Sequence, residues 1–285
     1  MSQRLTSRRA AIERITIEEM PPFVGTNQQS SRSEAMGLKI YPLDLGSAKV
    51  DSSFLVWGWN RGVPADAAMW SYLILGSDTP ILVDAGYRDH AAMNATTGFE
   101  FAERTEAQSF TGQLAKHGLV PEDIGLFIST HLHPDHTGLI DELPNARIAV
   151  QRRELQTAVA PYFPIAGFDR VDVAKLVGPL YERIDFIEED EDRKELVPGV
   201  EAVWTGGHTP GHQVVYAELD SGTAVITGDL VYRTNPGLEF QIPPAWISDL
   251  GETMRGLKRI KRDATHVLPI HDPNIAVEYP NGVIE

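Results

Sequence analysis

Four side chains able to bind a metal ion, His131, His133, Asp135 and His136, lie within six residues of the stretch Ser129-Thr130-His131-Leu132-His133-Pro134-Asp135-His136-Thr137-Gly138. Spacing decides what kind of site they can form. On a helix, with about 100° per residue, His131 and His133 would point roughly 200° apart and could not share an ion. In an extended or looped segment alternate side chains face the same way, so the two imidazoles can converge. Pro134 then forces a turn, which sends Asp135 and His136 toward a second ion nearby. A polar surface loop with a chance histidine cluster is the bland alternative.

Four further stretches place an acid or a histidine just after an apolar run. They are Ile81-Leu82-Val83-Asp84-Ala85-Gly86, Gly206-Gly207-His208-Thr209-Pro210-Gly211-His212, Val225-Ile226-Thr227-Gly228-Asp229 and Leu268-Pro269-Ile270-His271-Asp272-Pro273. The glycines around His208 allow close backbone approach. Each stretch alone is weak. Five strand ends that all carry His or Asp are hard to attribute to chance.

The elements that must position these groups read as short strands and helices. The run Ile124 to Ile128 is a buried strand feeding the histidine stretch. Leu38–Leu45, Ser53–Trp57, Trp70–Leu75 and Ile81–Val83 are expected strands, separated by Gly, Pro and Asp. Thr105 opens a helix with capping-box spacing to Gln108, apolar Phe110 and Leu114, and a stop at Gly118. Residues 150–199 are mixed and helical, and the acidic run Glu188 to Glu191 is a solvated face. Strands resume at Val200–Thr205, Gln213–Leu219 and Ala224–Thr227, with Asp220-Ser221-Gly222-Thr223 as a hairpin turn. Ile247, Leu250, Met254 and Leu257 recur at helical spacing, and His266–Ile270 is a last strand. Strands and helices thus come in two successive groups, and two packed sheets flanked by helices bury these faces most simply.

Composition narrows the chemistry. The sequence has no cysteine, so a transition-metal site must be built from His and carboxylate. A formal charge of −15 argues against general nucleic-acid or anionic-membrane binding. No stretch is apolar and long enough to span a membrane, and the first residues lack the apolar core of a secretory signal. A cytoplasmic protein is expected. Residues 1–36 form an N-terminal arm or tail, either disordered or packed on the body or on a partner subunit, and residues 37–285 form the main domain.

Together the five strand ends resemble the metallo-β-lactamase superfamily, with its HxHxDH, a later GH, a late Asp and a C-terminal His, over roughly residues 38–273. The resemblance implies an αββα sandwich of two mixed β-sheets flanked by helices, with the metals at one edge. It implies that His131, His133 and His208 hold one ion and that Asp135, His136 and His271 hold the other. On the same resemblance Asp229 would bridge them. Asp84 would be a residue that orients the site, and His212 would be structural. His90, His117 and His266 are surface or packed histidines, and Trp57, Trp59 and Trp70 belong to core or interface. Imidazole and carboxylate suit two Zn²⁺, although Mn²⁺, Fe²⁺ or Co²⁺ fit such donors too.

Within that superfamily Asp229 argues against the true β-lactamases, which lack the bridging acid. His133 stands where the flavodiiron pattern HxExDH has Glu, which argues against redox chemistry. Tyr232, three residues after Asp229, matches the Asp-x-x-Tyr of the N-acyl-homoserine lactonases, the quorum-quenching branch. The implied reaction is hydrolysis of a small-molecule lactone by a metal-bridging hydroxide, with Tyr232 contacting substrate and Asp135 passing a proton. By analogy a homodimer is expected. A thioesterase of the hydroxyacylglutathione hydrolase kind shares the ligand set, and a mononuclear iron persulfide dioxygenase is a third reading. Pocket shape is expected to come from residues 1–36 and from Gln151 to Pro198.

Overall fold

Short apolar runs broken by Gly, Pro and Asp become strands here because their side chains are buried on one or both sheet faces. The computed structural model describes residues 37–162, 167–188 and 192–285. The first sheet contains β1 (Lys39–Asp51), β2 (Pro64–Leu75), β3 (Ile81–Val83), β4 (Glu100–Phe101), β5 (Leu126–Ile128), β6 (Arg147–Gln151) and β7 (Ile184–Ile187). The second contains β8 (Arg193–Val197), β9 (Val200–Trp204), β10 (Gln213–Leu219), β11 (Gly222–Ile226) and β12 (His266–Leu268). Their orders are β4-β1-β2-β3-β5-β6-β7 and β12-β11-β10-β9-β8. Both sheets are mixed: β3, β5, β6 and β7 run parallel, β11 runs parallel to β12, and the remaining pairs are antiparallel.

The helices are α1 (Ser52–Leu55), α2 (His90–Thr97), α3 (Phe110–Ala115), α4 (Pro134–Thr137), α5 (Arg152–Val159), α6 (Arg170–Leu176), α7 (Leu250–Asp263) and α8 (Ile275–Glu278). Alternation within the strands sorts their side chains into layers. Ile81, Val83 and Ile128 face Val215, Ala217 and Ile226 of the other sheet and form the central core. Leu82, Phe127 and Ile148 point outward, under Leu114, Leu155 and Leu176 of α3, α5 and α6. On the far side Val203, Val214 and Val225 pack beneath Leu257 and Ile260 of α7. This is the expected αββα sandwich.

Local chemistry explains where the elements differ from expectation. Ser53–Trp57 is not a strand: the Asp51 carboxylate accepts the Ser53 amide at 2.8 Å and caps α1. Trp57 and Trp59 beyond it are 56% and 42% exposed, so neither is core, whereas Trp70 is half-buried against the inter-sheet layer. The Thr105 amide does donate to Gln108 Oε1, at 3.2 Å, but that turn is short, and Ser109 caps a second start for α3. Helix α7 starts from Asp249, which leaves Ile247 outside it. The hairpin loop is Asp220-Ser221 alone, since Leu219 already pairs with Gly222. The arm or tail of residues 1–36 and residues 189–191 of the acidic run lie outside the described residues. Glu188 is described, and it pairs with Arg152 at 2.6 Å. No helix of the described residues is long and apolar enough to cross a membrane.

Candidate metal centre

The strands β3, β5, β11 and β12 end at one edge of the sandwich, and the loop between β9 and β10 reaches the same place. Backbone bonds sew the sheets together there. The Gln213 amide donates to the Thr130 carbonyl at 2.8 Å, and the Trp70 and Ala68 amides donate to the Ile270 and His271 carbonyls at 3.0 and 3.2 Å. The five polar strand ends read from the sequence therefore meet. His131 lies three residues past β5, and His133, in extended backbone, caps α4, the single turn that Pro134 opens and that carries Asp135 and His136.

Two groups of donor atoms result. His131, His133, His208 and Asp229 form one, and Asp135, His136 and His271 form the other, with the atoms of each group within 4.8 Å of one another. Asp229 faces both. Its Oδ2 lies 3.7 Å from His131 Nε2 and 3.4 Å from His208 Nε2, while its Oδ1 lies 3.1 Å from His136 Nε2 and 3.0 Å from His271 Nε2. Asp135 Oδ2 stands 3.9 and 3.7 Å from the same His136 and His271 nitrogens.

The outer nitrogens show which ring atoms are available. His136 Nδ1 donates to Asp84 Oδ2 at 2.8 Å, His208 Nδ1 to the Trp246 carbonyl at 2.9 Å and His271 Nδ1 to the Ala68 carbonyl at 2.8 Å. These partners only accept, so each ring carries its proton on Nδ1 and turns a Nε2 lone pair inward when neutral. Thr130 Oγ1 spends its own proton on Asp84 Oδ2, at 2.7 Å, and so accepts from His131 Nδ1 at 3.1 Å. His133 turns Nδ1 inward, 3.1 Å from His208 Nε2. Among the described residues His131 Nε2, His136 Nε2 and Asp229 Oδ1 are buried without a hydrogen-bond partner. Buried polar atoms are rarely left so, and inward lone pairs around a carboxylate fit divalent cations well.

Electrostatics agree. Burial opposes charge on His136 and His271, but Asp229 beside both and the other nearby carboxylates outweigh it, so both pKa values rise. Burial pushes His131 well down and His208 to about 3. Asp229 is held well below the usual carboxylate range: burial works against this, but the four histidines around it prevail. The site demands positive charge beside its carboxylates.

Asp84 is fully buried at a φ of +57°, an uncommon conformation for a residue with a side chain that costs about 1–3 kcal/mol. The strand that delivers it, Ile81-Leu82-Val83, is wholly buried, at about 1.5–3 kcal/mol per side chain. That outweighs the strain. His212 is no ligand, because its Nε2 accepts the Asp229 amide at 3.1 Å and its Nδ1 meets Thr205 Oγ1 at 2.8 Å. Tyr232 stacks on Phe54, with ring centroids 5.7 Å apart, and its hydroxyl donates to Asp229 Oδ2 at 2.8 Å. His90, His117 and His266 are half-exposed and outside both groups of donor atoms.

A cavity with largely apolar walls opens onto these groups. Val50, Phe54, Met69, Met93, Phe99 and Phe101 form much of its wall, with His133, Asp135, His208, Asp229, Tyr232 and His271 at one end. Among the described residues, the expected segment Gln151 to Pro198 supplies Gly167 to this wall, and the long β1–β2 hairpin with α2 and β4 supplies much of the rest. Sequence reasoning missed this wall because single Phe and Met residues look like ordinary core. It also missed Trp246, which lines this cavity and a neighbouring one that also contains Arg153, Tyr162 and Phe168. Glu154 was missed as well. It sits one turn before Ala158 on the buried side of α5, fully covered, where burial pushes its carboxyl up to about 7 although the hydrogen bonds from the Leu132 and Gly211 amides pull it down.

Comparison with known proteins supplies the context. Residues 68–264 match the model of the Metallo-beta-lactamase superfamily. An N-acyl homoserine lactonase of Bacillus thuringiensis is 30% identical over 240 residues, which cover 81% of this chain and 90% of that protein. The N-acyl homoserine lactonase AttM of Azorhizobium caulinodans is 27% identical over 252 residues, covering 83% and 94%. A solved structure of an N-acyl homoserine lactone hydrolase, with N-hexanoyl-L-homoserine bound at its catalytic metal center, superposes with a TM-score of 0.70 at 27% identity. That match covers 84% of this chain and 95% of the other.

Proposed function

The chain belongs to the metallo-beta-lactamase superfamily, where its relatives include N-acyl homoserine lactonases, and from that premise we propose that it is a dinuclear metal hydrolase that opens a lactone ring. The observation that carries the reading is the Asp229 carboxylate, which turns one oxygen to each group of donors at the end of an apolar cavity. His131, His133 and His208 would hold one ion, Asp135, His136 and His271 the other, and Asp229 both. Zn²⁺ suits the donors best. Bound there, two divalent cations supply Lewis acidity that activates a water and polarises the ring carbonyl.

The chain's own residues do the rest. The apolar walls seat the hydrocarbon part of the substrate and exclude bulk water, which strengthens every charge interaction inside. Burial, followed by the charge of Asp229, raises the Tyr232 pKa well above its ordinary value, so its hydroxyl remains a donor across the working range. Turned from Asp229 to the substrate, it stabilises the oxygen on which charge develops. Asp135, on the wall of the same cavity, takes the proton that the attacking water gives up and passes it to the departing alkoxide. An acyl-homoserine lactone meets these requirements, and quorum quenching would follow from its hydrolysis. Glutathione thioesters, with several charges, suit the apolar wall poorly.

Proton release by the Zn²⁺-loaded chain on acyl-homoserine lactones, a plain γ-lactone, an aromatic lactone and lactoylglutathione tests this. Turnover of a lactone with little on the thioester is expected. Turnover of the thioester alone would replace the lactonase reading with a thioesterase.

A further inference from the structure

The ligands of the first ion come from opposite halves of the sandwich. His131 and His133 follow β5 of one sheet, and His208 lies between β9 and β10 of the other. Their spacing therefore needs a tie across the two halves, and Glu154 of α5 provides one. Glu154 Oε1 accepts the Leu132 amide at 3.0 Å, between His131 and His133, and Oε2 accepts the Gly211 amide at 2.9 Å, three residues past His208. Both oxygens are used, and the side chain is fully buried. Gly211 reinforces the contact: a Cβ there would collide with the backbone and Cβ of Glu154, so only glycine lets the loop come this close.

We propose that Glu154 is a positioning residue for the first ion, a carboxylate clamp that sets the distance between the His131–His133 segment and the His208 loop. Both partners of the clamp are N–H donors, so only a side chain with two acceptor oxygens can satisfy them. Glutamine turns an NH₂ against one of the two amides and releases one loop. No such contact links Glu154 to Asp135, His136 or His271, so the second ion should not respond. The inference rests on the assignment of His131, His133, His208 and Asp229 to one ion.

Zn²⁺ competition against a chromophoric chelator, on the full chain, resolves two dissociation constants. In Glu154→Gln one constant should weaken about 10–100-fold and the other should stay within about twofold. Glu154→Asp keeps both acceptors on a shorter arm and should fall between Gln and the parent chain. The visible spectrum of the Co²⁺-loaded chain should change in the Gln variant, which a purely fold-stabilising residue would not cause. Two unchanged constants, or two constants weakened alike together with Tm, would overturn the clamp. Failure of the parent chain to bind Zn²⁺ would instead overturn the ligand assignment, and the clamp with it.

Discussion

Asp84→Asn acts on His136 directly and on His131 only through Thr130. Asp84 accepts three hydrogen bonds: from the Thr130 amide at 2.8 Å, the Thr130 hydroxyl at 2.7 Å and His136 Nδ1 at 2.8 Å. The last fixes the tautomer that aims His136 Nε2 inward. Asparagine keeps the shape but must set an NH₂ against either the Thr130 amide or His136. A hydrogen bond to a charged group contributes about 1.5–3 kcal/mol, and about 1.4 kcal/mol is a tenfold change in binding. Roughly a ten- to hundredfold weaker hold on one Zn²⁺ follows. Chelator competition should show the equivalent that His136 would hold weakened the more, with turnover falling as it is lost. An Asn variant that binds both equivalents like the parent would refute the reasoning, because His136 would then need no anchor.

Three further outcomes are expected. Tyr232→Phe should keep both ions yet lower kcat at least about tenfold; unchanged kinetics with metal content confirmed would reduce Tyr232 to packing. Trp246→Ala deletes the ring shared by the two cavities but leaves the carbonyl that anchors His208, so kcat/KM should shift toward longer acyl chains. An unchanged chain-length profile would contradict that partition. His136 and His271 both have raised pKa values, so the ion-free site holds protons near neutrality that a cation must displace. Zn²⁺ affinity should therefore fall as pH falls through those raised values, and calorimetry in buffers of different ionisation enthalpy should detect proton release. Binding with no proton release at neutral pH would show that these histidines are already neutral.

The candidate ligands were legible in the sequence because each sits just past a strand too apolar to be anything but buried. Ile81–Val83 and Ile124–Ile128 are clear examples, and parallel strands in a sandwich bring such ends to one edge. Ser53–Trp57 was misread because its apolar residues outweighed the Asp51 cap, a local signal that only geometry resolves. The cavity wall was hidden for another reason. Phe54, Met93 and Phe101 are chemically indistinguishable from core until the β1–β2 hairpin places them beside Asp135 and Tyr232. Glu154 left one trace, a carboxylate on the buried side of α5, whose partners at Leu132 and Gly211 are 22 and 57 residues away in sequence.

The most direct test of the account is stepwise reloading of the chelator-stripped chain with Zn²⁺, counting bound metal against lactone turnover at each step. Asp229 faces both groups of donors, so activity should stay low through the first equivalent and rise as the second binds. Full activity at one equivalent per chain would contradict the dinuclear mechanism and favour a mononuclear enzyme.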